Sequence, residues 1–160
     1  MPAFTPSVPA AVDSLLAILR AWPDLAGADI RDSQQTPDES NLRAVFVGDT
    51  NQLDDAGQPV LNSADYVAVS AGLGGRLRET YSLHCCAASQ NGDGDYAAAR
   101  RDAYALAAAC GAAIEAHPNL AGAIQGRAIF GGGALRYQKL DVGIRAVVLW
   151  DADVEAFTTG

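Results

Sequence analysis

The stretch from Asp95 to about Ala116 constrains the fold most, because nearly all of its residues favour a helix and no proline interrupts it. Asp93 and Asp95 stand where a carboxylate oxygen can accept hydrogen bonds from the first free amides of a helix. At about 1.5 Å per residue, this helix would extend roughly 33 Å. Pro118 ends it, because the residue before a proline is pushed out of the helical conformation.

The apolar side of this predicted helix consists mostly of alanine. The residues at helical spacing along it are Tyr96, Ala99, Ala103, Leu106, Cys110, Ala113 and Ile114. Small side chains allow a helix to lie close to a broad flat partner, so this side predicts packing against a sheet. Arg100, Arg101 and Glu115 would then face solvent.

The rest of the chain supplies a second helix and the strands of that sheet. Apolar residues recur at helical spacing over 11–22, and Pro23 ends the pattern. Alternating apolar and β-branched residues predict strands at 28–33, 42–49, 65–72, 76–89, 128–130 and 134–154. The order of elements predicts an α+β fold, with a single mainly antiparallel sheet and both the N-terminal helix and the long helix packed against it.

One segment leaves room for a second interpretation, and one glycine run marks a strand end. The segment 76–89 could also be a helix, since Leu73, Leu77, Tyr81 and His84 fit helical spacing. Thr80, Tyr81 and the adjacent cysteines favour a strand. The three glycines at 131–133 indicate a turn that closes the strand at 128–130.

Composition sets broad limits on function. The chain has 160 residues, which favours one domain over 1–160, and a formal net charge of −8. No apolar run approaches the roughly 18 residues of a membrane-spanning helix, so we expect a soluble protein that does not enter a membrane. The start of the chain lacks a secretion signal, which favours synthesis in the cytoplasm. An acidic chain without a basic stripe predicts weak, non-specific contact with DNA at most.

No arrangement of residues indicates catalysis, a cofactor or a metal. Glycines at 72, 74 and 75 resemble a phosphate-binding turn, but the spacing is incomplete and a hairpin turn is the simpler interpretation. Cys85 and Cys86 would point to opposite faces of a strand, which is typical of small buried residues. His84 and Cys85 are neighbours in the predicted strand, so their side chains would point to opposite faces. A cysteine nucleophile with a histidine base is therefore a remote alternative.

The order of elements resembles that of the tail terminator proteins of long-tailed bacteriophages, also called tail-completion proteins. The resemblance covers about 12–150: an amphipathic helix and turn at 11–33, strands, a long variable loop, a strand leading into the alanine-rich helix at 82–114, and the strand series at 134–150. It rests on patterns of hydrophobicity and has no catalytic signature.

The resemblance implies a hexameric ring located in the neck region of the virion tail. Such a ring caps the completed tail tube, stops its polymerisation and provides the docking surface for a head-side connector or stopper protein. Its implied partners are further copies of itself, the major tail tube protein and that head-side protein, while DNA passes through without specific binding. No catalysis and no cofactor are implied.

Five residues are predicted to contact partners. Leu53, Val60 and Leu61 are apolar residues in a polar loop at 50–63, which we expect to become ordered on assembly. Val147 and Leu149 add apolar side chains on a strand that has apolar residues on both faces. Two alternatives stay open: another neck or tube component such as a head–tail connector, and a small nucleotide- or metal-dependent enzyme.

Overall fold

The computed structural model describes residues 5–32, 43–48, 52–53, 59–60, 64–70, 76–140 and 143–158. At 52–53, 59–60, 64–66 and 70 it describes the backbone alone. The statements below concern these residues.

The fold is α+β, as the order of elements predicts. Helices α1 (Val8–Ala21) and α2 (Tyr96–Ala116), with a short 3₁₀ turn at Pro23–Leu25, accompany eight strands. The strands are β1 (Asp29–Asp32), β2 (Arg43–Val47), β3 (Gln52–Leu53), β4 (Pro59–Val60), β5 (Ala64–Ser70), β6 (Leu77–Asn91), β7 (Gln125–Lys139) and β8 (Ile144–Phe157).

Six of these strands form one sheet in the order β1-β2-β6-β8-β7. β5 pairs with the first half of β6, on the side where β2 pairs with the second half. Only the β1–β2 pairing is parallel, so the sheet is mainly antiparallel. β3 and β4 form a separate two-stranded ladder.

Helix α2 covers one face of this sheet, and its limits agree with the prediction. The Asp95 carboxylate accepts a hydrogen bond from the Ala98 amide at 3.1 Å, and His117 follows the last helical residue. The predicted apolar residues from Ala99 to Ile114 are buried, together with Ala107 and Ala109. Tyr96 is a correction, because it is 49% exposed and packs edge-to-face on Tyr137 with 5.2 Å between ring centroids.

Helix α1 lies on the same face, and the residue before its first turn is hydrogen-bonded to a buried carboxylate. Leu15, Leu16 and Leu19 are buried as predicted, and the helix ends at Ala21 just before Pro23. Glu79 of β6 has no exposed surface, and its two oxygens accept hydrogen bonds from the Ser7 amide at 3.0 and 3.3 Å.

The strand interpretation of 76–89 is confirmed, and its two faces enter different clusters. Cys85 lies in the large core beneath the helices, whereas Cys86 lies in a smaller cluster on the opposite face. We call these the helix face and the second face of the sheet. The second-face cluster consists of Ala44, Phe46, Cys86, Ala88 and Val147, with Leu149 packed against it.

The predicted glycine turn at 131–133 is wrong. β7 runs through these glycines to Lys139, with a register irregularity between Gly132 and Leu135. A Cβ on Gly133 would stand 2.3 Å from the Leu149 carbonyl oxygen, so the glycine permits a close approach of β7 to β8 rather than a turn. The predicted strand at 134–154 is accordingly two antiparallel strands, and the chain reverses next to Gly143, whose φ is +89°.

Two predicted segments lie largely or wholly outside the described residues. The loop at 50–63 contains the short β3–β4 ladder, in which Leu53 pairs with Pro59, and its remaining residues lie outside the described part. The glycines at 72, 74 and 75 also lie outside it. Within the described residues, neither helix is both long enough and apolar enough to cross a membrane.

Candidate interaction surface

Three exposed apolar side chains lie at one end of the second face. Val67 and Val69 on β5 are 60% and 52% exposed, and Phe157 at the end of β8 is 42% exposed. The register places Val69 opposite Arg78 and Arg78 opposite Phe157, so these side chains project from the same face. We call Val67, Val69 and Phe157 the end patch.

Charged and polar side chains separate the members of this end patch. Arg78 forms an ion pair with Glu155 at 2.6 Å, although both side chains are at least half exposed. Further along the same face, the Ser82 hydroxyl donates a hydrogen bond to Asp153 at 2.5 Å. Apolar residues among solvated polar ones are typical of a non-obligate protein interface.

A groove lies between α2 and β7 at the lateral edge of the sheet. Its volume is about 520 Å³, and its apolar lining includes Ala108, Gly111 and Ala112 of α2 and Phe130 of β7. Glu115 also lines it. The groove exists because the α2 residues are small, and larger side chains at these positions would fill it. We call it the α2–β7 groove.

Gly111 is the residue that allows α2 and β7 to approach at this groove. A Cβ on Gly111 would lie 3.2 Å from the ring of Phe130, which is tighter than an ordinary contact. The Phe130 ring is held in turn by stacking on Trp150, with 5.4 Å between ring centroids. The floor of the groove is therefore part of the packed core.

A second exposed aromatic group lies near the start of α2. Tyr104 is 45% exposed and Tyr137 is 41% exposed. The Tyr137 hydroxyl accepts a hydrogen bond from the Arg100 guanidinium at 2.8 Å, and its ring packs against Tyr96. These two contacts link Tyr137 of β7 to the first turns of α2.

The structure does not bring the five predicted contact residues together. Val147 has no exposed surface within the chain, and Leu149 is partly buried against the same second-face cluster. Leu53 and Val60 lie in the β3–β4 ladder, where only the backbone is described, and Leu61 lies outside the described residues. Their role in contacts remains a prediction.

The residues considered for catalysis do not form a reactive pair. His84 Nδ1 lies 2.7 Å from an Asp151 carboxylate oxygen on the second face, whereas Cys85 points into the helix-face core. Burial raises the pKa of the Cys85 thiol well above its usual range and raises that of Cys110 to about 12, so both stay protonated near neutral pH. In the described part of the chain, no three His, Cys, Asp or Glu side chains are grouped so as to hold a metal.

Sequence reasoning missed the end patch although the signal was present. The predicted strand at 65–72 places Val67 and Val69 on one face by simple alternation. Alternation cannot tell which face the core covers at the end of a sheet. That depends on where both helices lie, which only the assembled fold determines.

Comparison with known proteins identifies no family. No protein-family model matches the chain, and no curated protein matches it. Among solved structures, a chain in the virion of a native gene transfer agent particle is similar, with 15% sequence identity and a TM-score of 0.49. The similarity covers 93% of this chain and 97% of that chain. A similarity at this TM-score does not assign a function to the chain.

Proposed function

We propose that this chain is a structural protein of a phage-type virion that acts as a tail terminator. The observation that carries the proposal is the end patch, where Val67, Val69 and Phe157 stand at least 42% exposed at one end of the second face. Exposed apolar residues grouped in this way mark surfaces that contact other proteins. The α+β fold agrees with the one that the resemblance to tail terminators implies.

In this function, single-domain subunits form a ring of six that caps the completed tail tube in the neck of the virion. The ring stops tube polymerisation and presents a docking surface to the head-side connector or stopper protein. A ring requires a heterologous contact, in which two different surfaces of each subunit meet. Binding at surfaces of this kind needs no cofactor and no catalytic group.

The acidic chain suits a ring through which DNA passes without being captured. The formal net charge of −8 opposes the accumulation of phosphates at the surface. DNA binding measured with the isolated protein should therefore be weak at physiological salt. Tight, salt-sensitive binding to duplex DNA would contradict this part of the proposal.

Electron microscopy of tail tubes tests the proposal directly. Purified tubes are incubated with the protein and then with additional tube subunits. We expect rings at one end of each tube and no further growth from that end. The variant Val69→Asp places a charge in the end patch and should leave the tubes uncapped. Its circular dichroism spectrum should match that of the native protein, which would show that the fold is unchanged. Tubes that elongate equally with and without the protein would refute tail termination.

A further inference from the structure

We propose that Val67 and Val69 of one copy pack into the α2–β7 groove of a neighbouring copy. This inference rests on the proposed function, because it specifies the two surfaces through which the ring would close. The occupant of the groove is thus a second copy of this chain, and its contact element is β5.

The two surfaces lie at opposite lateral edges of the sheet. At this end of the sheet the strand order is β5-β6-β8-β7, so three strand spacings of about 4.8 Å separate β5 from β7. The surfaces do not overlap, and one copy can use both at once. A contact between two different surfaces is heterologous, and it forms a ring when the repeated rotation closes.

The groove and the two valines match in size and polarity. The groove floor is formed by alanines, Gly111 and the Phe130 ring, and its volume of about 520 Å³ exceeds that of two branched side chains. Val67 and Val69 are more than half exposed and project from alternate positions of one strand. Their transfer into the groove would remove apolar surface from water on both copies.

Charges at the margins of the two surfaces are complementary. Glu115 and Arg127 line the α2–β7 groove. Arg78 lies directly opposite Val69 on the neighbouring strand and carries Glu155 as its ion-pair partner. Within one copy, Arg127 already lies directly opposite Glu155 on β8. The pair left for a neighbour is therefore Glu115 of the groove with Arg78, which would place opposite charges together at the rim. Such pairs fix the orientation of two partners more than they add affinity.

Chemical crosslinking tests the contact with the full chain. The variants Val69→Cys and Ala112→Cys are mixed and treated with a short bismaleimide, both free in solution and on capped tail tubes. The three native cysteines are buried and should not react. We expect about tenfold more crosslinked dimer in the mixture than with either variant alone, because contact raises the effective concentration into the millimolar range.

The matched control replaces Ala112→Cys by Ala17→Cys, an exposed position on α1. Equal yields from the two mixtures, in solution and on tubes, would overturn the proposal. Crosslinking of Val69→Cys with itself would also overturn it, since it would indicate a symmetric contact through β5. So would crosslinking of Val69→Cys only to the tube protein, because the occupant would then be a different chain.

Filling the groove gives a second measurement. Ala108→Trp places a large ring in the α2–β7 groove, whereas Ala105→Trp places the same ring on α2 outside its lining. Sedimentation of assembled protein should show self-association weakened about tenfold or more by the first change, a loss of about 1.4 kcal/mol. Equal effects of both changes would contradict the inference. Failure of tube capping with an intact 69–112 crosslink would instead refute the proposed function alone.

Discussion

The turn after α2 stores backbone strain that a single substitution should release. Leu120 and Ala121 have φ values of +50° and +57°, and Gly122 follows at +86°. An L-residue in this left-handed conformation costs roughly 1–2 kcal/mol. The turn is nevertheless held in place, because Leu120 is fully buried and its carbonyl accepts a hydrogen bond from the Ser14 hydroxyl at 2.6 Å.

Ala121 is the position where this strain can be relieved without loss of packing. Its side chain is exposed, so Ala121→Gly removes no core contact. Glycine adopts positive φ freely but loses more conformational entropy on folding, a cost of about 0.5–1 kcal/mol. The difference predicts a gain in unfolding free energy of about 0–1.5 kcal/mol with a centre near about 0.75 kcal/mol, which corresponds to roughly 2–3 °C in Tm for a chain of this size.

The matched control is Ala105→Gly, an exposed alanine in the middle of α2. There glycine should lower the unfolding free energy by about 0.8–1 kcal/mol, since the backbone is an ordinary helix. Urea unfolding followed by circular dichroism would show the two midpoints moving in opposite directions at equal slopes. Ala121→Gly lowering the midpoint as much as Ala105→Gly would refute the reasoning.

Three further predictions concern the core. Glu79→Ala should cost about 1–3 kcal/mol by leaving the partly buried Ser7 amide without its acceptor, and Glu79→Gln should cost less because it keeps an acceptor oxygen; urea unfolding of both variants measures the difference. Ala113→Leu should cost about 1–3 kcal/mol by overpacking α2 against the sheet, while Arg101→Ala should change thermal stability by less than about 0.5 kcal/mol. Burial raises the folded-state pKa of the Cys110 thiol to about 12. The stability that this shift contributes is complete below the unfolded pKa near 9 and is lost as the pH rises towards 12. The unfolding free energy should therefore fall more steeply over that range in the native protein than in Cys110→Ala, and equal slopes would contradict the assignment.

The fold could be predicted from the sequence where periodicity and burial agree. β6 is an example, because Tyr81, Leu83 and Cys85 alternate with residues of the other face and the strand is covered by helices on one side. The glycines at 131–133 misled the prediction, because turns and close strand approaches require the same residue. Distinguishing the two needs the position of the Leu149 carbonyl, which no local pattern contains.

The candidate site was less predictable than the fold for a related reason. Val147 and Val69 are both valines on strands, and both lie on the second face of the sheet. One has no exposed surface and the other is 52% exposed, because only one end of that face is covered. Sequence pattern gives the face of a strand residue, but not whether another element lies above it.

Away from the α2–β7 groove, the two faces of the sheet differ in how much they contribute to the core. The helix face carries the large core and the buried Glu79 carboxylate, and changes there should act mainly on unfolding. The second face is buried around Phe46 at one end and exposed at the end patch at the other. Charged groups such as Arg78 and Glu155 are tolerated at the exposed end because solvent still reaches them. A substitution at this end can thus alter association while leaving the core intact, which is the property that makes assembly testable separately from folding.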